Sequence, residues 1–240
     1  MYRFAVPFPL LPGKTEADIR RVAAELAANP AEYRASRGRM GATLERMYVQ
    51  ETPMGTITIA YMESERAFAE NARLFASSDL QIDSRYVELV EEVHGVDLRR
   101  PRDGGPPETV GAWTDPKVTT RRKGLAFIAP LLPGKLDEGR AFAREAFEKR
   151  VAELTASRRA LAENVEVISL VPNPTGDFCC VYLEGTDPVE SNRRFAGSTR
   201  PYDVWFRDRL KQLFPPGVEF DRPLPPIFEV FDSAALPITA

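Results

Sequence analysis

Two tyrosines, each followed two residues later by a glutamate, are the best candidates for chemistry in this chain. They are Tyr61 with Glu63 and Tyr182 with Glu184. Residues i and i+2 of a β-strand lie on one face, so each carboxylate is expected beside its hydroxyl. Such a pair can be structural, since a tyrosine in an apolar sheet needs a hydrogen-bond partner. The alternative is that the hydroxyl lines a ligand cavity, where burial raises the pKa of the glutamate and makes it an acid or base.

His94 is the only histidine of the sequence, and histidine is the side chain whose ordinary pKa lies near neutrality. It can act as a general base, or it can be packed in the last turn of a helix. One histidine and two cysteines, Cys179 and Cys180, exclude a histidine-rich metal site but leave an all-carboxylate site open. The sequence has no glycine-rich phosphate loop and no Gly-x-Ser-x-Gly motif. We expect no metal and no cofactor.

Two arginines and two aromatic sets are candidates for ligand binding. Arg37 and Arg158 fall near the C-terminal ends of predicted helices, where a cation suits the helix dipole or can clamp a ligand anion. Either aromatic set can wall a pocket between sheet and helices, or belong to the core. The aromatic candidates are Tyr202 and Trp205 beside Phe206, and, earlier in the chain, Tyr48, Tyr86 and His94.

Two further arginines, Arg73 and Arg193, each precede an aspartate by ten residues, Asp83 and Asp203 respectively. We predict that each arginine forms an ion pair with its aspartate and ties together two parts of a helical region. A catalytic role for the aspartates is the alternative.

The hexapeptide Pro-Leu-Leu-Pro-Gly-Lys occurs twice, at residues 9–14 and 130–135, an offset of 121 residues. After the loss of one residue, further identities continue at an offset of 120, and His94 then corresponds to Phe214. The spacing predicts a tandem duplication. The matched pairs include Arg37 and Arg158, Tyr61 and Tyr182, Glu63 and Glu184, Arg73 and Arg193, and Asp83 and Asp203.

Each copy has the predicted order β-α-β-β-α-β, which is the ferredoxin-like unit. An apolar first strand ends at the Pro-Gly turn, and the helix after it is expected to break and restart at Asn29-Pro30 in the first copy. Short closing strands are predicted at residues 95–98 and 217–220. Further extended stretches follow around residues 110–113 and 227–231, and we predict that they cross to, or edge, the partner sheet.

The strand around residues 56–62 alternates, with Ile57, Ile59 and Tyr61 on one face and Thr58, Ala60 and Met62 on the other. A sheet with helices on one face leaves its second face apolar, and two such units can pack sheet to sheet. In this order, in the duplication and in the opening strand–Pro-Gly-Lys–helix pattern, the chain resembles the dimeric α/β-barrel superfamily. The resemblance implies an α+β fold of two tandem ferredoxin-like units closed into an intramolecular α/β barrel. The expected domains are residues 1–115, a linker at 116–123, and residues 124–240.

That superfamily contains cofactor-free monooxygenases, haem-degrading enzymes, isomerases, cyclases and ligand-binding regulators, so the resemblance leaves the function open. We expect a small-molecule-binding protein, as monomer or homodimer. The alternative is a cofactor-independent monooxygenase, isomerase or cyclase acting on a small aromatic or polyketide-like compound. It would use Tyr61 or Tyr182 with Glu63 or Glu184, with His94 as an additional candidate.

Composition limits the partners. With 43% hydrophobic and 28% charged residues the chain is expected to be globular, and a net charge of −3 does not favour nucleic acid. No stretch reaches the ~18 uncharged apolar residues of a membrane span, and no signal peptide is recognisable. With only two cysteines, a cytoplasmic location is predicted.

Overall fold

The structure, a computed structural model, describes residues 1–220, 222 and 224–237. The chain has an α+β fold, and among the residues described every helix is too short or too polar to span a bilayer. The elements of the first half are β1 (Tyr2–Pro9), α1 (Glu16–Ala28), α2 (Pro30–Arg39), β2 (Ala42–Thr52), β3 (Gly55–Ser64), α3 (Phe68–Ala76), α4 (Gln81–His94) and β4 (Glu108–Thr114). Those of the second half are β5 (Lys123–Pro130), α5 (Leu136–Arg144), α6 (Val151–Ala160), β6 (Glu163–Val171), β7 (Phe178–Gly185), α7 (Pro188–Ala196), α8 (Pro201–Leu210) and β8 (Ile227–Asp232).

The break between α1 and α2 follows from two residues. The Asn29 side chain accepts a hydrogen bond from the backbone N–H of Glu32 at 3.2 Å, and Pro30 takes the first helical position, where no N–H is needed. The predicted break is confirmed. In the second half Val151 stands at the position of Pro30. There α5 runs into a π-helical turn at Glu145–Lys149, and Arg150, with non-helical backbone angles, separates that turn from α6.

Two antiparallel sheets organise the chain, with strand orders β1-β3-β2-β8 and β4-β6-β7-β5. In the first sheet Tyr61 lies between Ala5 of β1 and Arg46 of β2. In the second, Tyr182 lies between Ala126 of β5 and Val167 of β6. The strand that carries each tyrosine is therefore interior, and the two registers correspond residue for residue at the offset of 121.

Each sheet takes its fourth strand from the other half of the chain. β4 pairs with β6, and β8 pairs with β2, which confirms the prediction that the extended tails cross. The closing strands predicted at residues 95–98 and 217–220 are wrong, because neither segment is helix or strand. In the first half, Val96 and Leu98 are partly buried against an apolar cluster. Residues 95–98 are therefore kept in place by the packing of these side chains and not by hydrogen bonds to a neighbouring strand.

The strand exchange also determines the compact units. One comprises Met1–Pro106 with the segment that begins at Ile227, and the other comprises Pro107–Pro226. The expected division into 1–115, 116–123 and 124–240 follows the repeat along the sequence. The compact units differ from it because each exchanged strand belongs with the sheet that it joins.

The two faces of the first sheet carry different side chains. Thr58, Ala60 and Met62 lie on the face that packs under the helices, in register with Val49, Met47 and Glu45 of β2 respectively. The opposite face carries Ile57, Ile59, Tyr61 and Glu63, all of them buried. The predicted alternation therefore separates a helix-covered face from a face that holds the Tyr–Glu pair.

A left-handed backbone position precedes each second strand. It is glycine in the first unit (Gly41, φ 61°) and alanine in the second (Ala162, φ 64°). The left-handed conformation costs a residue with a Cβ about 1 kcal/mol. We expect Ala162→Gly to stabilise the protein by up to about 1 kcal/mol in urea denaturation. Gly41→Ala is the matched control and should destabilise, since its Cβ would also lie 2.8 Å from Glu65 Cβ. A destabilising Ala162→Gly would contradict this account.

Candidate functional site

The two Tyr–Glu pairs form the hydrogen bonds that their spacing predicts. The Tyr61 hydroxyl donates to Glu63 Oε1 at 2.8 Å, and the Tyr182 hydroxyl donates to Glu184 Oε2 at 3.0 Å. All four side chains are at most 1% exposed. Period-two alternation along an interior strand is sufficient to bring each pair together.

Both glutamates have additional partners that fix them in place. The guanidinium of Arg3 lies 3.4 Å from Glu63 Oε1. Glu184 Oε1 accepts hydrogen bonds from the Asn164 side-chain amide and from the backbone N–H of Arg122, each at 3.1 Å. Buried carboxylates with this many donors are stabilised as parts of the sheet. Their assignment as catalytic residues stays a prediction.

Arg37 is at the centre of a buried ionic cluster under the helices of the first unit. Its Nε donates to Glu45 Oε2 at 2.7 Å, and its Nη1 lies 3.3 Å from Asp83 Oδ1. The hydroxyl of Tyr33 donates to the same Glu45 oxygen at 2.7 Å. Burial disfavours the charge on Arg37, but the Glu45 carboxylate together with Tyr33 and Tyr86 outweighs this, and the pKa of the guanidinium is raised. Arg37 is held as a cation by partners in the fold.

The matched cluster of the second unit has the same plan. Arg158 Nε donates to Glu166 Oε2 at 2.6 Å, and Nη1 lies 4.0 Å from Asp203 Oδ1. Glu163 adds a third carboxylate 3.5 Å from Arg158 Nε, and burial raises its pKa despite that arginine. A cluster present in both units is explained by packing and charge balance. The comparison of the Arg37 and Arg158 clusters therefore does not support the predicted anion-binding role of the two arginines.

The ion pairs predicted from Arg73 and Arg193 are wrong. Arg73 is exposed, and Arg193 pairs with Glu190 at 2.6 Å. The two aspartates bond instead to serines and to the buried arginines. For Asp83 these partners are Ser36, Arg37 and Ser78, and for Asp203 they are Ser157, Arg158 and Ser198.

Two adjoining cavities lie between the sheet and the helices of the first unit. The larger has a volume of about 50 Å³ and the smaller about 10 Å³, and Phe8, Ala60 and Tyr86 line both. The smaller cavity is also lined by Thr58 and His94. The walls of the larger cavity further include Phe4, Glu45, Asn71, Phe75 and Leu98.

His94 ends α4 and packs on Phe8, with ring centroids 5.5 Å apart. Its Nδ1 lies 3.1 Å from the carbonyl oxygen of Pro9, which can only accept, so Nδ1 carries the proton of the neutral ring. Burial lowers the pKa of His94 to about 4, and the bond to Pro9 opposes this only in part. At neutral pH the ring is uncharged and Nε2 is a hydrogen-bond acceptor.

Two further polar groups line the smaller cavity. Thr58 Oγ1 is buried without a hydrogen-bond partner among the residues described. Tyr86 lines both cavities, and burial, followed by the nearby Glu45, raises the pKa of its hydroxyl. Tyr86 and His94 therefore line the smaller cavity, and Tyr86 also belongs to the apolar core of the first unit. Tyr48 lies elsewhere, on the opposite face of the sheet, and donates to Glu229 at 3.2 Å.

The matched positions of the second unit are less polar. Thr58, Tyr86 and His94 correspond at the offsets of 121 and 120 to Cys179, Phe206 and Phe214, all buried in an apolar cluster. Ala60 corresponds to the larger Val181 in the same cluster. Tyr33, which bonds Glu45, corresponds to Leu154. Comparing helix-facing positions of the two copies would have found Thr58 and Ala60, which reasoning from single residues missed.

Tyr202 and Trp205 are packed among aromatic side chains of the second unit. The Arg150 guanidinium carbon lies over the Trp205 ring, 3.9 Å from its centroid, and the Tyr202 hydroxyl donates to the carbonyl oxygen of Ala146 at 3.4 Å. Neither residue lines the two cavities. Within the first unit, His94 and the Tyr61–Glu63 pair lie on opposite faces of the sheet.

No cluster of three or more metal-binding side chains occurs in the part of the chain described.

No sequence profile of a known family matches the chain, and no curated protein matches it. Two solved structures share its fold. One is a provisionally assigned monooxygenase from Fusobacterium nucleatum subsp. nucleatum, 9% identical, with a TM-score of 0.50 over 95% of this chain and 91% of that one. The other is an anthrone oxidase-like protein, 7% identical, with a TM-score of 0.51 over 95% and 88%. The chain is thus similar in fold to two proteins named for oxygen chemistry.

Proposed function

We propose that this protein binds a small molecule in the space between the sheet and the helices of its first unit. The observation that carries the proposal is the difference between the units. The first keeps two cavities with polar groups at their walls, and the second has apolar or larger residues at the matched positions. Cavities and unpaired buried polar groups reduce stability, so a unit that keeps both is a candidate for binding.

The size of the space limits the ligand. The larger cavity, at about 50 Å³, is smaller than the ~150 Å³ cavity that holds a benzene ring. A ligand with one ring therefore requires a wall to move. Leu98 is the wall residue from the irregular segment between α4 and β4, so its displacement breaks no sheet or helix hydrogen bonds. Ligands of at most about one ring are expected.

Filling the cavity tests this proposal. We expect Ala60→Val, which introduces the residue found at position 181, to weaken binding of toluene at least tenfold. Isothermal titration calorimetry or ligand-detected NMR measures the affinity. The matched control is Val181→Ala, which changes the second unit and should leave toluene affinity within twofold of the wild type. An equal loss of toluene affinity in both variants contradicts the proposal.

A cofactor-independent enzyme is the second candidate. The names of the two structural neighbours favour it, because both refer to oxidation. Tyr61 with Glu63 and Tyr182 with Glu184 would then carry proton transfer. We expect Tyr61→Phe or Tyr182→Phe to reduce oxygen consumption with an aromatic substrate while changing the melting temperature little. An equal loss of activity and melting temperature would assign the pairs to structure.

Two finer predictions accompany the proposal. From the superfamily resemblance we infer that the two units close into one barrel. We also infer that the protein is a monomer or a homodimer. Native mass spectrometry beside a denaturing spectrum measures the oligomeric state and any captured ligand together.

A further inference from the structure

A polar subsite lies at one end of the proposed binding space, in the smaller cavity. Thr58 lines this cavity and is 3% exposed, and its buried Oγ1 makes no hydrogen bond in the described part of the chain. A buried hydroxyl without a partner costs about 1–3 kcal/mol. Valine has nearly the same shape and no such cost, so the hydroxyl at this position requires a reason beyond packing.

His94 lines the same cavity. Its Nδ1–H is engaged by the Pro9 carbonyl oxygen, which leaves Nε2 of the neutral ring as an acceptor. Thr58 can donate, and His94 can accept. A group that accepts one hydrogen bond and donates another satisfies both, and the cavity of about 10 Å³ has room for roughly one oxygen atom.

The charge of the lining residues limits the ligand further. The residues of the smaller cavity other than Thr58, Tyr86 and His94 are apolar: Phe8, Ile19, Val22, Met47, Ala60 and Val90. No lysine or arginine is among the residues that line either cavity, so a carboxylate or phosphate would be desolvated without a counter-charge.

We propose that Thr58 and His94 form a hydroxyl-recognition subsite, and that the ligand is an uncharged alcohol whose hydroxyl donates to His94 and accepts from Thr58. This inference rests on the proposed binding function and names its ligand class. The apolar body of the alcohol occupies the larger cavity. The second unit lacks the subsite, since Cys179 and Phe214 stand at the matched positions.

The test compares four probes on the full-length protein: benzyl alcohol, toluene, benzyl methyl ether and benzoate. We expect benzyl alcohol to bind at least tenfold more tightly than each of the others, because toluene lacks the hydroxyl, the ether cannot donate, and benzoate is charged. Thr58→Val and His94→Phe should each reduce the preference for benzyl alcohol over toluene to about twofold or less. Cys179→Val, the matched control, should keep the full preference.

A second measurement separates recognition from structure. Without ligand, Thr58→Val should melt at the same temperature as the wild type or higher, since it removes an unpaired buried hydroxyl. A fall of several degrees would show that Thr58 serves the fold and would overturn the inference. Equal binding of benzyl alcohol and toluene, both weakened by Ala60→Val, would overturn the subsite and leave the cavity proposal standing. Failure of all four probes to bind would overturn the proposed function itself.

Discussion

Replacement of Arg37 by methionine is expected to lower the free energy of unfolding by about 3–5 kcal/mol. Arg37 is 3% exposed, and its guanidinium is the cation facing the buried carboxylates of Glu45 and Asp83. Without it, two acidic groups are left under the helices with no counter-charge. Urea denaturation followed by circular dichroism measures the loss.

The matched control is Arg73→Met, because Arg73 is exposed and was the arginine predicted from sequence to pair with Asp83. It should change the free energy of unfolding by less than about 0.5 kcal/mol. Adding Glu45→Gln to Arg37→Met should recover part of the loss, since one uncompensated charge is removed. A loss below about 1 kcal/mol for Arg37→Met would contradict the cluster as described.

Arg158→Met should be at least as damaging in the second unit. Three carboxylates surround that arginine, those of Glu163, Glu166 and Asp203. The same reasoning applies to both clusters, so the two methionine variants form a matched pair. Because the cluster is common to both units, these losses report on the stability of each unit.

The stability of the protein should fall as the pH is lowered through the range from 6.5 to 4, in part because of His94. Burial lowers the pKa of His94 in the folded protein to about 4, whereas the unfolded chain has the ordinary value of 6.5. Between these values the unfolded chain binds a proton that the folded protein does not, so acid favours unfolding. The contribution is present in full above pH 6.5 and amounts to at most about 3 kcal/mol.

His94→Phe, which introduces the residue at position 214, isolates this contribution. Carboxylates titrate in the same range, so the measured quantity is the difference between wild type and variant in urea denaturation at pH 4, 5, 6 and 7. The difference should shift in favour of the variant by up to about 3 kcal/mol as the pH falls. A difference that does not depend on pH would show that the His94 ring is protonated as easily in the folded protein as in the unfolded one.

Local pattern was enough to predict a large part of this structure. Alternation placed Tyr61 and Glu63 on one face, and Asn29 with Pro30 ended one helix and began the next, because these signals act within a few residues. The crossing of the extended tails also followed from the sequence. The closing strands did not form, and in the first half Val96 and Leu98 instead pack, partly buried, against the apolar core without a partner strand.

The partners of charged groups were beyond the sequence. Asp83 lies ten residues from Arg73 but bonds to Arg37, which is 46 residues away along the chain. The pairing depends on which helix faces are buried together, and that is a property of the assembled unit.

The amino-acid sequence by itself determined the α+β class, the helix break at Asn29-Pro30 and the two Tyr–Glu hydrogen bonds, because each depends on neighbours in the chain or on a period within one element. Only the tertiary structure decided that His94 lies on the opposite side of the sheet from Tyr61 and lines the same cavity as Thr58. His94 comes from the end of a helix and Thr58 from the middle of a strand. Their meeting requires the helix to pack on that strand, and no local pattern encodes the distance between them.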